Sequence, residues 1–218
     1  MTSSELIIVI GRQFGSGGRE IGQKLAERLG VPYYDKRLLA EAARAFGLQS
    51  DVLARSDERR PSMFRAFLGS SYGNTSDFGS WGTMSPDQLY RVQSRIIEHI
   101  CQAGPCVIVG RTADYIARHN PRMASIFVHA PAAFKATRII ARGEARTQEE
   151  AIRIARKRDK DRQDYYNYYT GRQWGDAANY HFSLDSSLFS AEESAETIAG
   201  FLARFAARIN PAEHSCRQ

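Results

Sequence analysis

Lysine is scarce in this sequence. Of 30 basic residues only Lys24, Lys36, Lys135, Lys157 and Lys160 are lysines, and the rest are arginine. Cysteine is scarcer still: Cys101, Cys106 and Cys216 show no C-x-x-C spacing, which argues against a disulfide framework and a zinc site. Cys101 and Cys106 lie in apolar surroundings and read as core. The five histidines lack ligand spacing. No apolar run approaches the ~20 residues of a membrane span. The opening Met1-Thr2-Ser3-Ser4-Glu5 has no basic n-region, and the apolar stretch after it is too short for a signal peptide. A cytoplasmic, reducing compartment is expected. There are no internal repeats.

What is present suits one domain. The chain has 218 residues and 43% hydrophobic content, enough for a sizeable core with room for a mobile insert. The net charge of +6 points to an anionic partner. Arginine forks match phosphate oxygens bidentately, although a codon bias would give the same composition, so the positions of the arginines matter more than their number.

The stretch from Ile7 to Glu20 reads as a strand, a glycine-rich turn and a helix N-terminus. Such a unit cradles phosphate with backbone N–H groups and the positive end of a helix dipole. The phosphate-binding candidates are Gly11, Gln13, Phe14, Gly15, Ser16, Gly17, Gly18, Arg19 and Glu20. Against the pattern G-x-x-x-x-G-K-[ST], Gly17 fits the second glycine. Gly18 stands where the lysine belongs, Arg19 where the hydroxyl belongs, and Arg12 at the first glycine position.

Five apolar runs, Leu6–Ile10, Pro32–Tyr34, Pro105–Val109, Ser125–His129 and His181–Leu184, read as buried strands with helical patterns between them. The alternation predicts an α/β fold with a parallel sheet and helices on both faces. Helices are expected from Arg19 to Leu29, closed by Gly30, and from Asp35 to Gly47. Another follows the Ser85-Pro86 cap to about Ala103. Capping boxes at Thr147–Glu150 and Ser190–Glu193 open two more. Ile198, Phe201, Leu202, Phe205 and Ile209 form the apolar side of the last one. The segment from Ser56 to Ser85, rich in Ser, Gly and Arg, reads as a mobile flap or a plain surface insertion.

In such sheets ligands bind outside the carboxyl ends of the strands. Asp35 and Arg37 follow the second strand, Arg111 and Asp114 the third, and Asp185 the fifth. A second cluster runs from Arg156 to Arg162. There Arg158 and Arg162 share a helix face with Asp161 beside them, a set able to clamp a transferring phosphoryl group. The blander alternative is a solvated helix laced with ion pairs. The tyrosine run from Tyr165 to Tyr169 reads as helix packing in preference to base stacking.

Taken together, Gly11–Gly22, Tyr33–Lys36, Val109–Tyr115 and Arg158–Tyr166 through to Asp185 resemble the nucleoside monophosphate kinases, in particular the cytidylate kinase-like family, over almost the whole chain. The resemblance implies a three-layer P-loop fold with a five-stranded parallel sheet. It would have a CORE (1–55 and 86–218), an acceptor-binding insert at about 56–85 and a short LID at about 156–175. It implies phosphoryl transfer from ATP with Mg²⁺ to a small acceptor such as CMP or dCMP. The glycine loop would hold the ATP phosphates. Arg37 and Arg111 would approach the acceptor, with Asp35 and Asp114 nearby, and Arg158 and Arg162 would close on the transferred group. Asp161 would meet a ribose or an arginine. Without the loop lysine, Arg12 or Arg19 must supply its charge for catalysis, and without the hydroxyl Mg²⁺ loses its usual loop ligand. Two other classes stay open: a nucleotide-binding sensor without turnover, and a nucleic-acid-binding protein. The latter is disfavoured because the basic residues are spread over several elements without a recognised motif. No membrane partner is expected.

Overall fold

The apolar run after Glu5 forms the middle of a sheet because both its faces find a partner. The structure, a computed structural model, describes residues 2–35 and 86–209. Strand β1 (Ile7–Arg12) is buried through Ile10. Side chains alternate across a strand, so Ile8 and Ile10 pack with Ile21, Leu25, Ile198 and Leu202 on one face. Ile7 and Val9 pack with Ile96, Ile97 and Ile100 on the other. Each such isoleucine contributes about 1.5–3 kcal/mol by burial.

Around β1 stand β2 (Tyr33–Tyr34), β3 (Cys106–Val109), β4 (Met123–His129) and β5 (Phe182–Asp185). All pair in parallel, in the order β2-β3-β1-β4-β5. Ile10 lies opposite Val109 on one side and Ile126 on the other, and Arg12 opposite Val128. The five expected strands are therefore present, with ends shifted by one or two residues. Because β1 sits between β3 and β4, the strand order reverses at its carboxyl end, where a crevice opens.

Helix α1 (Gly18–Leu29) leaves that crevice one residue earlier than its sequence pattern predicts, and Gly30 (φ 66°) closes it as expected. Helix α2 (Pro86–Ala103) starts at its proline. A short α3 (Ala113–Ile116) and α4 (Ala132–Ala141) follow β3 and β4. Helix α5 (Gln148–Thr170) opens on the Thr147 cap, which accepts the Glu150 N–H at 3.2 Å, while Glu150 returns a carboxylate to the Arg146 N–H at 2.9 Å. Helix α6 (Ala191–Ile209) carries the expected Ser190–Glu193 box and buries Ile198 and Leu202. Cys101 and Cys106 are buried free thiols. The expected helix to Gly47, the 56–85 segment, Arg37 and Cys216 lie outside the described residues.

Candidate functional site

The crevice is floored by the turn from β1 into α1. Its left-handed positions are Gly15 (φ 84°) and Gly17 (φ 81°). A Cβ on Gly15 would lie 3.0 Å from the Lys135 carbonyl oxygen, so the loop lies tightly against α4. Carbonyls and hydroxyls pin the loop from below. The Gln13 N–H donates to Val128 at 2.9 Å, and the Ser16 hydroxyl bonds the Gln13 and Val128 carbonyls at 2.9 and 3.1 Å. The Ser186 hydroxyl donates to the Ser16 carbonyl at 2.6 Å. The first N–H groups of α1 have no partner within the helix and carry the positive end of its dipole.

Helix α5 grips the loop from the side. Asp159 accepts the Phe14 N–H at 2.6 Å. The same carboxylate receives Lys135 Nζ at 3.3 Å and Arg162 Nη1 at 3.4 Å. Lys135 also reaches Gln13 Oε1 at 3.1 Å, and Arg162 donates to the Arg12 carbonyl at 3.1 Å. Burial pushes the Asp159 carboxyl up, against the pull of the Phe14 amide and the two cations. Around the Phe14 ring stand the guanidiniums of Arg142, Arg162 and Arg158, at 5.3, 5.5 and 5.8 Å from its centroid. Such placement over the ring face is attractive.

Three further arginines come from strand ends and from α4. Burial, together with the nearby charges of Arg162 and Arg111, pulls the Arg12 guanidinium down to about 9. Burial also lowers Arg111 and Arg162. Arginine keeps its proton in proteins, and crowded cations facing one cleft favour a multiply charged anion. Arg138 pairs with Glu20 at 2.7 Å and lies 3.3 Å from where a Cβ on Gly17 would be.

The turn after β3 is unusual. Gly110, Arg111 and Thr112 are all left-handed, with φ of 81°, 63° and 54°. Non-glycine residues in this region cost about 1–2 kcal/mol each and cluster at functional sites. Gln93 braces the turn, donating to the Arg111 carbonyl at 3.0 Å and accepting from its guanidinium at 3.4 Å. Beyond it, the Tyr166 hydroxyl donates to Asp114 at 2.7 Å, and burial raises the Asp114 carboxyl.

The cleft so formed has a volume of about 360 Å³. Among the sequence candidates it is lined by Gly11, Arg12, Gln13, Phe14, Gly15, Gly17, Gly18, Arg19, Glu20, Asp35, Arg111, Asp114 and Arg162. Ser16 lies behind it, fully tied by hydrogen bonds. Arg19 and Asp35 are joined to each other at 2.7 Å. Arg158 touches the Phe14 ring from outside the lining. Asp161, on the neighbouring face of α5, also stays outside it, its Oδ2 without a hydrogen-bond partner among the described residues. The i,i+3 pair that meets the loop is Asp159 with Arg162.

Asp159, Lys135, Arg138 and Arg142 are the residues sequence reasoning missed. The last three are spaced i, i+3, i+7 just after β4, a cationic stripe aimed at one helix face. The tyrosine run does pack, as expected: Tyr169 stacks on Tyr90 at 4.0 Å. Tyr165 and Tyr166 nevertheless also line the cleft.

A protein-held Mg²⁺ does not fit the loop. Arg19 occupies the hydroxyl position, and its guanidinium pairs with Asp35, a carboxylate of the cleft lining. Among the described residues no group of three or more His, Cys, Asp or Glu could hold a metal.

Residues 7–188 match a family model described as the cytidylate kinase-like family. A solved structure of an uncharacterized protein from Eubacterium ventriosum is similar over 90% of this chain and 98% of its own, with 26% identity and a TM-score of 0.66. Shikimate kinase from Acinetobacter baumannii, solved in complex with shikimate, is similar over 90% of this chain and 92% of its own (14% identity, TM-score 0.51). A gluconokinase from Sinorhizobium meliloti is similar over 94% and 95% (16% identity, TM-score 0.52). These last two share the fold, a three-layer P-loop kinase architecture. No curated protein matches the sequence significantly.

Proposed function

The chain belongs to the cytidylate kinase-like family, and on that premise we propose that it transfers the terminal phosphoryl group of ATP to a nucleoside monophosphate such as CMP or dCMP. The observation that carries this reading is the convergence of Arg12, Arg111 and Arg162, from three separate elements, on a cleft floored by a glycine loop and a helix N-terminus. Positioning and charge neutralisation are what phosphoryl transfer requires of a protein. An oxygen of the acceptor phosphate attacks the γ-phosphorus of ATP, the bond to the β–γ bridging oxygen breaks, and ADP leaves. No covalent protein intermediate is needed.

In this reading the α1 N-terminus and the loop amides hold the ATP phosphates, and Arg162 closes on the migrating group from α5. Arg158 assists from behind Phe14. Arg111 and Asp114 face the acceptor, joined by Arg37, and Asp161 meets a ribose or an arginine. The acceptor-binding insert is assigned to about 56–85 and the LID to about 156–175. Mg²⁺ arrives with its substrate as Mg·ATP, held by phosphates and water. The reaction is assigned to the cytoplasm; no helix among the described residues is long and apolar enough to cross a membrane.

The test is ADP release by purified protein given ATP, Mg²⁺ and a panel of CMP, dCMP, UMP and other small acceptors. ADP formation dependent on one of them supports the kinase reading, and none across the panel overturns it. The missing loop lysine favours one second reading, a nucleotide sensor. That reading predicts a calorimetric binding isotherm for ATP with no turnover.

A further inference from the structure

We propose that Arg12 and Gly18 are the two halves of a reciprocal exchange, in which the cation of the phosphate loop has moved from the start of α1 to the end of β1. This rests on the kinase reading of the loop and names the residue that supplies its missing charge.

Gly18 leaves no room for a side chain. A Cβ built there would lie 2.6 Å from the Arg12 Cβ, 3.1 Å from its Cγ and 3.4 Å from the Val128 Cβ. The first contact is far inside van der Waals range. It involves the root of the Arg12 side chain, not its flexible end. Arg12 cannot swing away, because its backbone is held in register opposite Val128 and its carbonyl is bonded by Arg162. No side chain fits at 18 while arginine stands at 12. The stem of Arg12 fills the space in which a lysine at 18 would begin.

The far end of the same side chain reaches a second glycine. The Arg12 guanidinium lies against Gly110, where a Cβ would overlap Nη1 and come within 2.8 Å of Cζ. At Gly110 the left-handed φ of 81° by itself favours glycine, and the contact is with the movable end of Arg12. Its guanidinium ends beside Arg111 and Arg162. Among the described residues it forms no ion pair, although Asp35 attracts it, and it lines the cleft. Arg19, the other candidate for the lysine's role, is 60% exposed in its side chain and spent on Asp35.

The test is a swap cycle in the full-length protein, read by calorimetric ATP binding, turnover and thermal melting. Arg12→Met keeps the stem and removes the charge. It should melt no lower than the wild type, yet bind ATP about 10- to 100-fold more weakly, the loss of one charged hydrogen-bond partner. Its turnover should fall by about 10²- to 10³-fold. Gly18→Lys alone should lower the melting temperature and weaken ATP binding, because the new Cβ collides with Arg12. Arg12→Gly combined with Gly18→Lys should restore ATP affinity to within about threefold of wild type and recover most of the turnover. Wild-type affinity in Arg12→Met, wild-type behaviour in Gly18→Lys, or a stable double variant that binds no better than Arg12→Gly each overturns the exchange while leaving the kinase reading standing. A wild-type protein that binds no ATP overturns both.

Discussion

After β1 the backbone turns left-handed at glycines, Gly15 and Gly17; after β3 it does so at Gly110 and then at Arg111 and Thr112. The two turns face the same cleft and meet the same steric problem. In the first, the left-handed backbone and the close approach of Lys135 require glycine. In the second, the cleft is lined by the Arg111 side chain. There the chain carries about 1–2 kcal/mol of left-handed strain per non-glycine residue. Gln93 and the Asp114–Tyr166 bond hold the strained turn in place. Each turn also depends on a carboxylate, half-buried Asp159 beside the loop and buried Asp114 beside the β3 turn.

The largest expected effect comes from removing the clamp on the glycine turn. Asp159→Ala leaves the Phe14 N–H without its acceptor and Lys135 and Arg162 without their shared counter-ion. It should cost about 3–5 kcal/mol, seen as a fall in the urea midpoint at unchanged slope. Wild-type stability would mean that the loop holds itself. Next, Gly15→Ala puts a Cβ 3.0 Å from the Lys135 carbonyl oxygen at a φ of 84°, and about 2–3 kcal/mol should be lost. The corresponding change in the other turn should act in the opposite direction. Thr112→Asn puts a residue that tolerates the left-handed region at φ 54° and should stabilise the protein by about 0.5–1 kcal/mol. A melting temperature that falls would show that the β3 turn is unstrained, and the contrast would collapse.

The smallest effect is a pH dependence shared by the two carboxylates. Burial raises both Asp159 and Asp114 above their ordinary range. Between the unfolded carboxylate pKa of about 3.9 and those raised folded values, the folded protein holds more protons than the unfolded chain. Their contribution is therefore most favourable at low pH and declines as pH rises through the raised folded values. Asp114→Asn should flatten that part of the stability profile measured by urea titration at several pH values. An unchanged profile would place the titration elsewhere.

Much of the fold was legible because its signals are local. The β1 run, the Gly30 closure and the Thr147 and Ser190 boxes each lie within a few residues of their effect. The strand order was not legible, since it depends on which apolar faces meet. The site divided in the same way. Gly15 and Gly17 announced the loop, and Arg111 followed from its place at a strand end. Asp159 was hidden because the charge run around it offers several equally spaced faces, and only packing against Phe14 selects one. Lys135, Arg138 and Arg142 belong to a helix that was not anticipated, so their shared stripe had no frame to be read in. The strain at Arg111 and Thr112 leaves no trace in residue type, as neither is a usual left-handed residue.

The contact between the root of Arg12 and the bare Cα of Gly18 also limits how such a loop arises by descent. Of the three positions at which this loop departs from the lysine-bearing pattern, 12 and 18 touch each other. Arginine introduced at position 12 first collides with the lysine stem; glycine introduced at position 18 first leaves the loop without a cation. The two positions are therefore coupled: a side chain at 18 needs the space that the Arg12 stem fills, so neither can be changed to its counterpart without the other.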